Sequence, residues 1–185
     1  MEEDGKFDRR ELRDKLLTAR ETMPNRTELE RVLLARVTRW LRTMPVARLA
    51  FYWPIRGEPD LRRTVLAWLG EDVQRRAGLP VIVERLLEFA PWTADTPMSP
   101  GPLGIAAPSR HARMTPQLLL IPCVGIDGMR YRLGFGGGYY DRTLAALNPR
   151  PVTVGIAFEC TRVPTINPQP HDVRLDLVIT ESGVL

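Results

Sequence analysis

Apolar residues recur along this chain in two rhythms. Over 8–23, Leu12, Leu16 and Ala19 keep the three-to-four spacing of one helix face, with charged residues opposite, so a helix is predicted that Pro24-Asn25 breaks. Thr27-Glu28-Leu29-Glu30 has the T-x-x-E form of a capping box. Leu29, Val32, Leu33, Val37, Trp40 and Leu41 carry a second helix from there until Pro45. Asp60 is placed to cap a third, with Val65, Leu66 and Leu69, ending at Gly70 or after Gly78. A fourth is expected over 139–147, with Tyr140, Leu144 and Leu147 on one face. Short unbroken apolar runs predict buried strands over 48–53, 118–121, 152–158 and 175–180, with two more at 81–83 and 86–89. The run 118–121 is the most apolar and is expected at the centre of a sheet. The stretch 91–108, with its prolines and glycines, is expected to be an ordered surface loop. Strands alternating with helices predict an α/β sheet covered on both faces, in one domain over 1–185.

Composition narrows the class. A chain of 185 residues, 44% apolar and 26% charged, suits one hydrophobic core and excludes a fibre or a disordered tail. No run approaches the ~18 apolar residues of a membrane span, and Met1-Glu-Glu-Asp-Gly-Lys6 has the wrong charge for a signal peptide. The expectation is a cytoplasmic protein whose Cys123 and Cys160 are free thiols. The net charge of +4 and pI near 9.5 admit nucleic acid, an acidic membrane face or a polyanionic small molecule as partner. The basic residues are spread evenly, Lys6 and Lys15 being the only lysines, and no aromatics interleave them, so nucleic acid is the weaker reading.

The chemistry concentrates in Tyr131-Arg-Leu-Gly-Phe-Gly-Gly-Gly-Tyr-Tyr-Asp-Arg-Thr-Leu144. Gly134, Gly136, Gly137 and Gly138 allow a tight turn and a close ligand, and the helix after them offers unpaired N–H groups to phosphate. Arg132 and Arg142 flank the turn. Neither the P-loop nor the dinucleotide fingerprint fits: no lysine lies near, and Tyr139 stands where the last glycine belongs. A bare strand-to-helix corner is the alternative. Asp141, in the first helical turn, is a candidate oxygen ligand for Mg²⁺ on a nucleotide, or simply a dipole-stabilised carboxylate. His171-Asp172 offers a second such ligand in Asp172, whereas Asp176 is expected to point out of the last strand. His111 and His171 lack zinc-site spacing, and no G-x-S-x-G elbow occurs.

Arg132-Leu-Gly-Phe-Gly-Gly-Gly-Tyr-Tyr-Asp-Arg142 resembles the signature of the 5-formyltetrahydrofolate cyclo-ligase (methenyltetrahydrofolate synthetase) family. Arg9, Leu12 and Arg13 resemble the family's K-x-x-L-R opening, and Phe51-Tyr-Trp-Pro-Ile-Arg-Gly-Glu58 its strand and loop glutamate. Gly104-Ile-Ala-Ala-Pro108 resembles its G-I-x-E-P turn, and 171–180 its closing H-D…D…T segment. The resemblance implies a three-layer αβα fold with a mostly parallel sheet, similar to the ribose-phosphate isomerase and CoA-transferase group. It implies ATP-dependent closure of 5-formyltetrahydrofolate to 5,10-methenyltetrahydrofolate with Mg²⁺; separately, a monomer without membrane attachment is expected. By the same resemblance ATP would meet Arg9, Arg10, Arg13, Arg132, Gly134, Phe135, Gly136, Gly137, Gly138, Tyr139, Tyr140 and Asp141. Folate would meet Trp53, Glu58, Gly136, Gly138, Tyr139 and Tyr140, with one tyrosine packing inward, and Asp141 and Asp172 would hold the metal. The bland readings are a surface Glu58 and a core Trp53. Three positions depart from the family pattern: Gly137 and Arg9 stand where lysines are common, and Ala107 replaces the glutamate of the turn. The segment between the third helix and Gly104 is also shorter. A family paralogue that binds nucleotide or folate with another substrate or without turnover, and a basic RNA-binding module, remain as rivals.

Overall fold

The unbroken apolar runs of the strands are realised as a sheet with both faces buried. A computed structural model describes residues 8–110 and 112–185; the acidic start at 1–6 and His111 lie outside the described residues. In chain order the elements are α1 (Arg9–Thr22), α2 (Arg26–Leu41), β1 (Arg48–Ala50), α3 (Arg62–Gly70), β2 (Arg76–Val83), β3 (Leu86–Trp92), β4 (Met98–Pro100) and β5 (Ala106–Pro108). There follow β6 (Leu118–Pro122), β7 (Gly125–Asp127), β8 (Arg132–Leu133), α4 (Tyr139–Ala146), β9 (Val152–Ile156), β10 (Arg162–Val163) and β11 (Leu177–Ile179).

The main sheet has the order β11-β9-β6-β1-β2-β3, all parallel except the outer β3. Leu49, Phe51, Leu118 and Leu120 point to one face and pack against Leu33 and Val37 of α2 and Val65 and Trp68 of α3. Ala50, Leu119 and Ile121 point to the other, where Leu144 of α4 closes the layer. This is a three-layer α/β/α arrangement, as expected. Truncating Leu120, 1% exposed, to alanine would cost about 2–5 kcal/mol. Helix α1 packs Leu16 and Leu17 on Val124, Leu133 and Ile166, beside the small sheet β10-β7-β8.

Several expectations need correction. The capping box does not form: Asn25, in a left-handed conformation, precedes α2 with no side-chain bond, and Glu30 instead accepts the Asp60 N–H at 2.8 Å. Asp60 sits one residue before the N-cap of α3 and accepts the Arg62 N–H, and α3 stops at Gly70. The strands foreseen at 81–83 and 86–89 are the near ends of a longer β2–β3 hairpin, which takes in Pro80 past the last pairing with β1. The segment 91–108 is not all loop, because β3 runs to Trp92 and β4 pairs with β5. The strands at 48–53, 152–158 and 175–180 are shorter than foreseen, and the small sheet was not foreseen. On α1 the buried face is Leu16, Leu17 and Arg20, with Ala19 only half-buried.

Chain order fixes where a ligand fits. From β1 the chain builds outward through β2 and β3, then returns to β6 and builds the other way through β9 and β11. The order reverses between β1 and β6, and the carboxyl ends of strands flanking such a reversal leave a crevice.

Candidate active site

A cavity of about 550 Å³ opens at that reversal, within the usual range for small-molecule sites. Tyr52 and Trp53 enter it just after β1, and Pro122 from the end of β6. Pro80, Ile82 and Leu87 of the β2–β3 hairpin form an apolar wall with Leu103 and Ile105.

The glycine turn forms another wall. Gly136 and Gly138 have φ of 97° and 64°, a region that L side chains adopt at a cost, and Gly138 is the N-cap of α4. The Arg13 Nε–H donates to the Gly134 carbonyl at 2.7 Å, and its guanidinium lies 3.4 Å from where a Cβ on Gly136 would be. A Cβ on Gly137 would sit 2.8 Å from the Tyr139 ring, so glycine leaves room for that ring. Arg142 braces the turn from behind, donating to the carbonyls of Gly137 and Arg85. It lies outside the cavity lining.

Two carboxylates at this end have arginine partners. Asp141 meets Arg132 at 2.9 Å and accepts the Val173 N–H at 3.0 Å, both through Oδ1. Asp172 is gripped by both terminal nitrogens of Arg9, at 2.8 and 3.3 Å, and accepts the Gln169 N–H at 2.6 Å. Burial alone would raise the Asp172 pKa, but the Arg9 and Gln169 hydrogen bonds and the charges of Arg9 and His171 outweigh it and hold it below the usual value. Among the described residues no three metal-ligating side chains gather.

Glu58 also lines the cavity. It follows a tight turn whose central residues, Arg56 and Gly57, have φ of 45° and 74°, closed by Glu58 N–H to the Ile55 carbonyl at 2.9 Å. Its Oε2 accepts the Ile55 N–H at 3.0 Å, and the residue is 5% exposed. Burial pushes its carboxyl up to about 7, against the pull of the Ile55 N–H and the Arg20 charge. The Tyr52 hydroxyl, held by the Pro59 carbonyl at 2.9 Å, and the Tyr140 hydroxyl are both raised, by burial first and then by Glu58.

The fold therefore gathers Arg9, Arg13, Trp53, Glu58, Arg132, Gly134, Phe135, Gly136, Gly137, Gly138, Tyr139, Tyr140, Asp141 and Asp172 around one cavity. It does not bring Arg10 there: that residue is exposed, and its N–H serves the Asp8 cap of α1. Trp53 is half-buried under the Arg62 guanidinium, 4.6 Å from its ring, and still lines the cavity. Both tyrosines are half-buried against the core, Tyr140 beneath Arg132 and Tyr139 beneath Arg142. Sequence reasoning missed Tyr52, Arg56 and the apolar wall, whose residues carry no distinctive pattern. It also missed Arg20, whose one signal is an arginine on the apolar face of α1.

A reversal-point cavity, a left-handed glycine turn at a helix N-terminus and a buried carboxyl among apolar residues are the features of an α/β enzyme's active site. The comparisons make it specific. The chain belongs to the 5-formyltetrahydrofolate cyclo-ligase family, whose model matches residues 6–181, and it is accordingly a ligase. It is 31% identical over 137 residues to the 5-formyltetrahydrofolate cyclo-ligase of Haemophilus influenzae, covering 69% of this chain and 72% of that protein. With the Mycoplasma pneumoniae cyclo-ligase it shares 45% identity over 62 residues, 34% of this chain and 37% of that one. Its fold is similar to a solved 5,10-methenyltetrahydrofolate synthetase from Mycoplasma pneumoniae (TM-score 0.75, 28% identity, 94% of this chain and 99% of the other). It also matches that of Aquifex aeolicus (TM-score 0.78, 27% identity, 95% and 91%). No helix among the described residues is long and apolar enough to cross a membrane.

Proposed function

We propose that this cavity performs the ATP-dependent closure of 5-formyltetrahydrofolate to 5,10-methenyltetrahydrofolate, with the triphosphate at the glycine turn and the pterin at Glu58. The observation that carries this reading is the presence, in one cavity, of a left-handed glycine turn at a helix N-terminus and a buried carboxyl. The turn's N–H groups and the start of α4 suit phosphate oxygens, and Arg9 and Arg13 supply positive charge beside them. The apolar wall from the hairpin excludes water from the flat ring system, and Glu58 meets the ring's N–H groups. Near neutral pH its carboxyl is shared between protonated and ionised forms, so it can donate or accept.

A formamide oxygen is a poor leaving group. Its attack on the γ-phosphorus releases ADP and gives an iminium phosphate; N10 then bonds to the formyl carbon, and phosphate leaves with the N10 proton. The chain's task is to hold the two reactants in line and to spread the charge of the transferring group. Asp141 fits a magnesium ligand, since both of its protein contacts fall on Oδ1; Asp172, taken up by Arg9 and Gln169, does not in this arrangement. When bound, magnesium neutralises phosphate charge, and one or two carboxylates are all it usually needs from a protein. Mixing the chain with 5-formyltetrahydrofolate and Mg-ATP should produce the methenyltetrahydrofolate absorbance, one ADP per turnover. Folate binding without product would favour a non-catalytic paralogue, and salt-dependent RNA retention without product an RNA module.

A further inference from the structure

Arg20 is 1% exposed, a burial that arginine rarely tolerates without a carboxylate partner, and its guanidinium contacts carbonyls instead. Its Nε and one terminal nitrogen donate to the Arg56 carbonyl at 3.2 and 2.9 Å; the other terminal nitrogen donates to the Cys123 carbonyl at 3.1 Å. Arg56 lies in the left-handed turn that delivers Glu58, and Cys123 follows the end of β6. One side chain from α1 thus ties the Glu58 turn, in the segment that follows β1, to the end of β6. Arg26 adds a second tie, donating to the Gly57 and Arg20 carbonyls.

We propose that Arg20 is a positioning residue for the folate half of the reaction: it locks the Glu58 turn to the end of β6 and places a fixed positive charge behind the Glu58 carboxyl. This rests on the reading of Glu58 as the pterin anchor. The charged or titratable groups that face Glu58 are Arg20 from α1, Tyr52 after β1, Cys123 after β6 and Tyr140 from α4. The two tyrosines are raised, and the Cys123 thiol is pushed up to about 12 by its burial, so all three are neutral over the working range. Arg20 is then the cation that opposes the burial of Glu58, and burial lowers its own pKa from the ordinary arginine value.

The test is the pH profile of kcat/KM for 5-formyltetrahydrofolate in Arg20→Met, Arg20→Lys and Glu58→Gln. Arg20→Met should lower folate kcat/KM by about tenfold or more and move the Glu58 limb up by about one pH unit, leaving the KM for ATP nearly unchanged. Arg20→Lys keeps the charge and loses the fork, so its limb should stay in place while folate kcat/KM falls by about fivefold. Should Arg20→Met fail to fold, Arg20→Lys decides alone, and wild-type folate kinetics in it would overturn the proposal. An unmoved limb in a folded Arg20→Met, or equal losses on ATP and folate, would also overturn it. A limb that persists in Glu58→Gln would instead sink the reading of Glu58 itself.

Discussion

Glu58 sits where ionisation is costly, so removing its charge should stabilise the free protein while it damages the enzyme. The rise from an ordinary 4.5 to about 7 corresponds to about 3 kcal/mol between the two protonation states. Below pH 4.5 the side chain is neutral in the folded and unfolded chains alike, and the full stability is present. As pH rises through 7 the unfolded chain is already ionised and the folded one must follow, so that stability is lost. Glu58→Gln does not titrate, and its amide oxygen can still accept the Ile55 N–H. The two proteins should melt together near pH 4.5, and at pH 8 the variant should melt higher by about 6–12 °C, taking about 2–4 °C per kcal/mol for this chain length. Folate kcat/KM should move the other way. An amide cannot satisfy two pterin N–H groups, and an unpaired buried donor costs about 1–3 kcal/mol, or about five- to 150-fold. Thermal scans across pH 4.5–8 with steady-state kinetics read both effects. A melting gap that stays flat with pH would refute the burial argument, and one that opens in favour of the wild type would mean that the Arg20 attraction exceeds desolvation.

Asp141→Asn should lower activity at least about tenfold and raise the magnesium requirement, while Arg132, left without its counter-charge, costs about 1–3 kcal/mol of stability; an unchanged magnesium titration would remove Asp141 from the metal site. Gly136→Ala and Gly138→Ala force left-handed alanines, each costing about 1–2 kcal/mol, and calorimetry should find ATP affinity reduced more than folate affinity. If ATP binds both variants normally, the turn is only a corner. Asp172, held below its usual pKa, contributes stability at neutral pH that disappears as pH falls through that lowered value. Asp172→Asn should therefore be less stable than wild type in urea at pH 7, and the gap should narrow as pH falls below 3.8.

What the sequence determined by itself was local. The periodicity over α1, α2 and α4, the apolar run of β6 and the glycine turn all express preferences of a few neighbouring residues, and such preferences are legible in a short window. Gly136 and Gly138 were readable for that reason: positive φ is a demand of the backbone itself. The family signature added which residues belong to one site, although not how they meet. The capping box shows the limit of local reading, since Glu30 found a better donor in Asp60, brought to it by the packing of α3 on α2. Arg9 and Asp172 pair across 163 positions, an ion pair that no short window of sequence reveals. Whether Glu58 is a surface acid or a buried one near pH 7 depends on the α1 arginine behind it and on Tyr52 and Tyr140 around it. Desolvation is a property of everything that covers a group, and that cover exists only once β1 and β6 lie side by side.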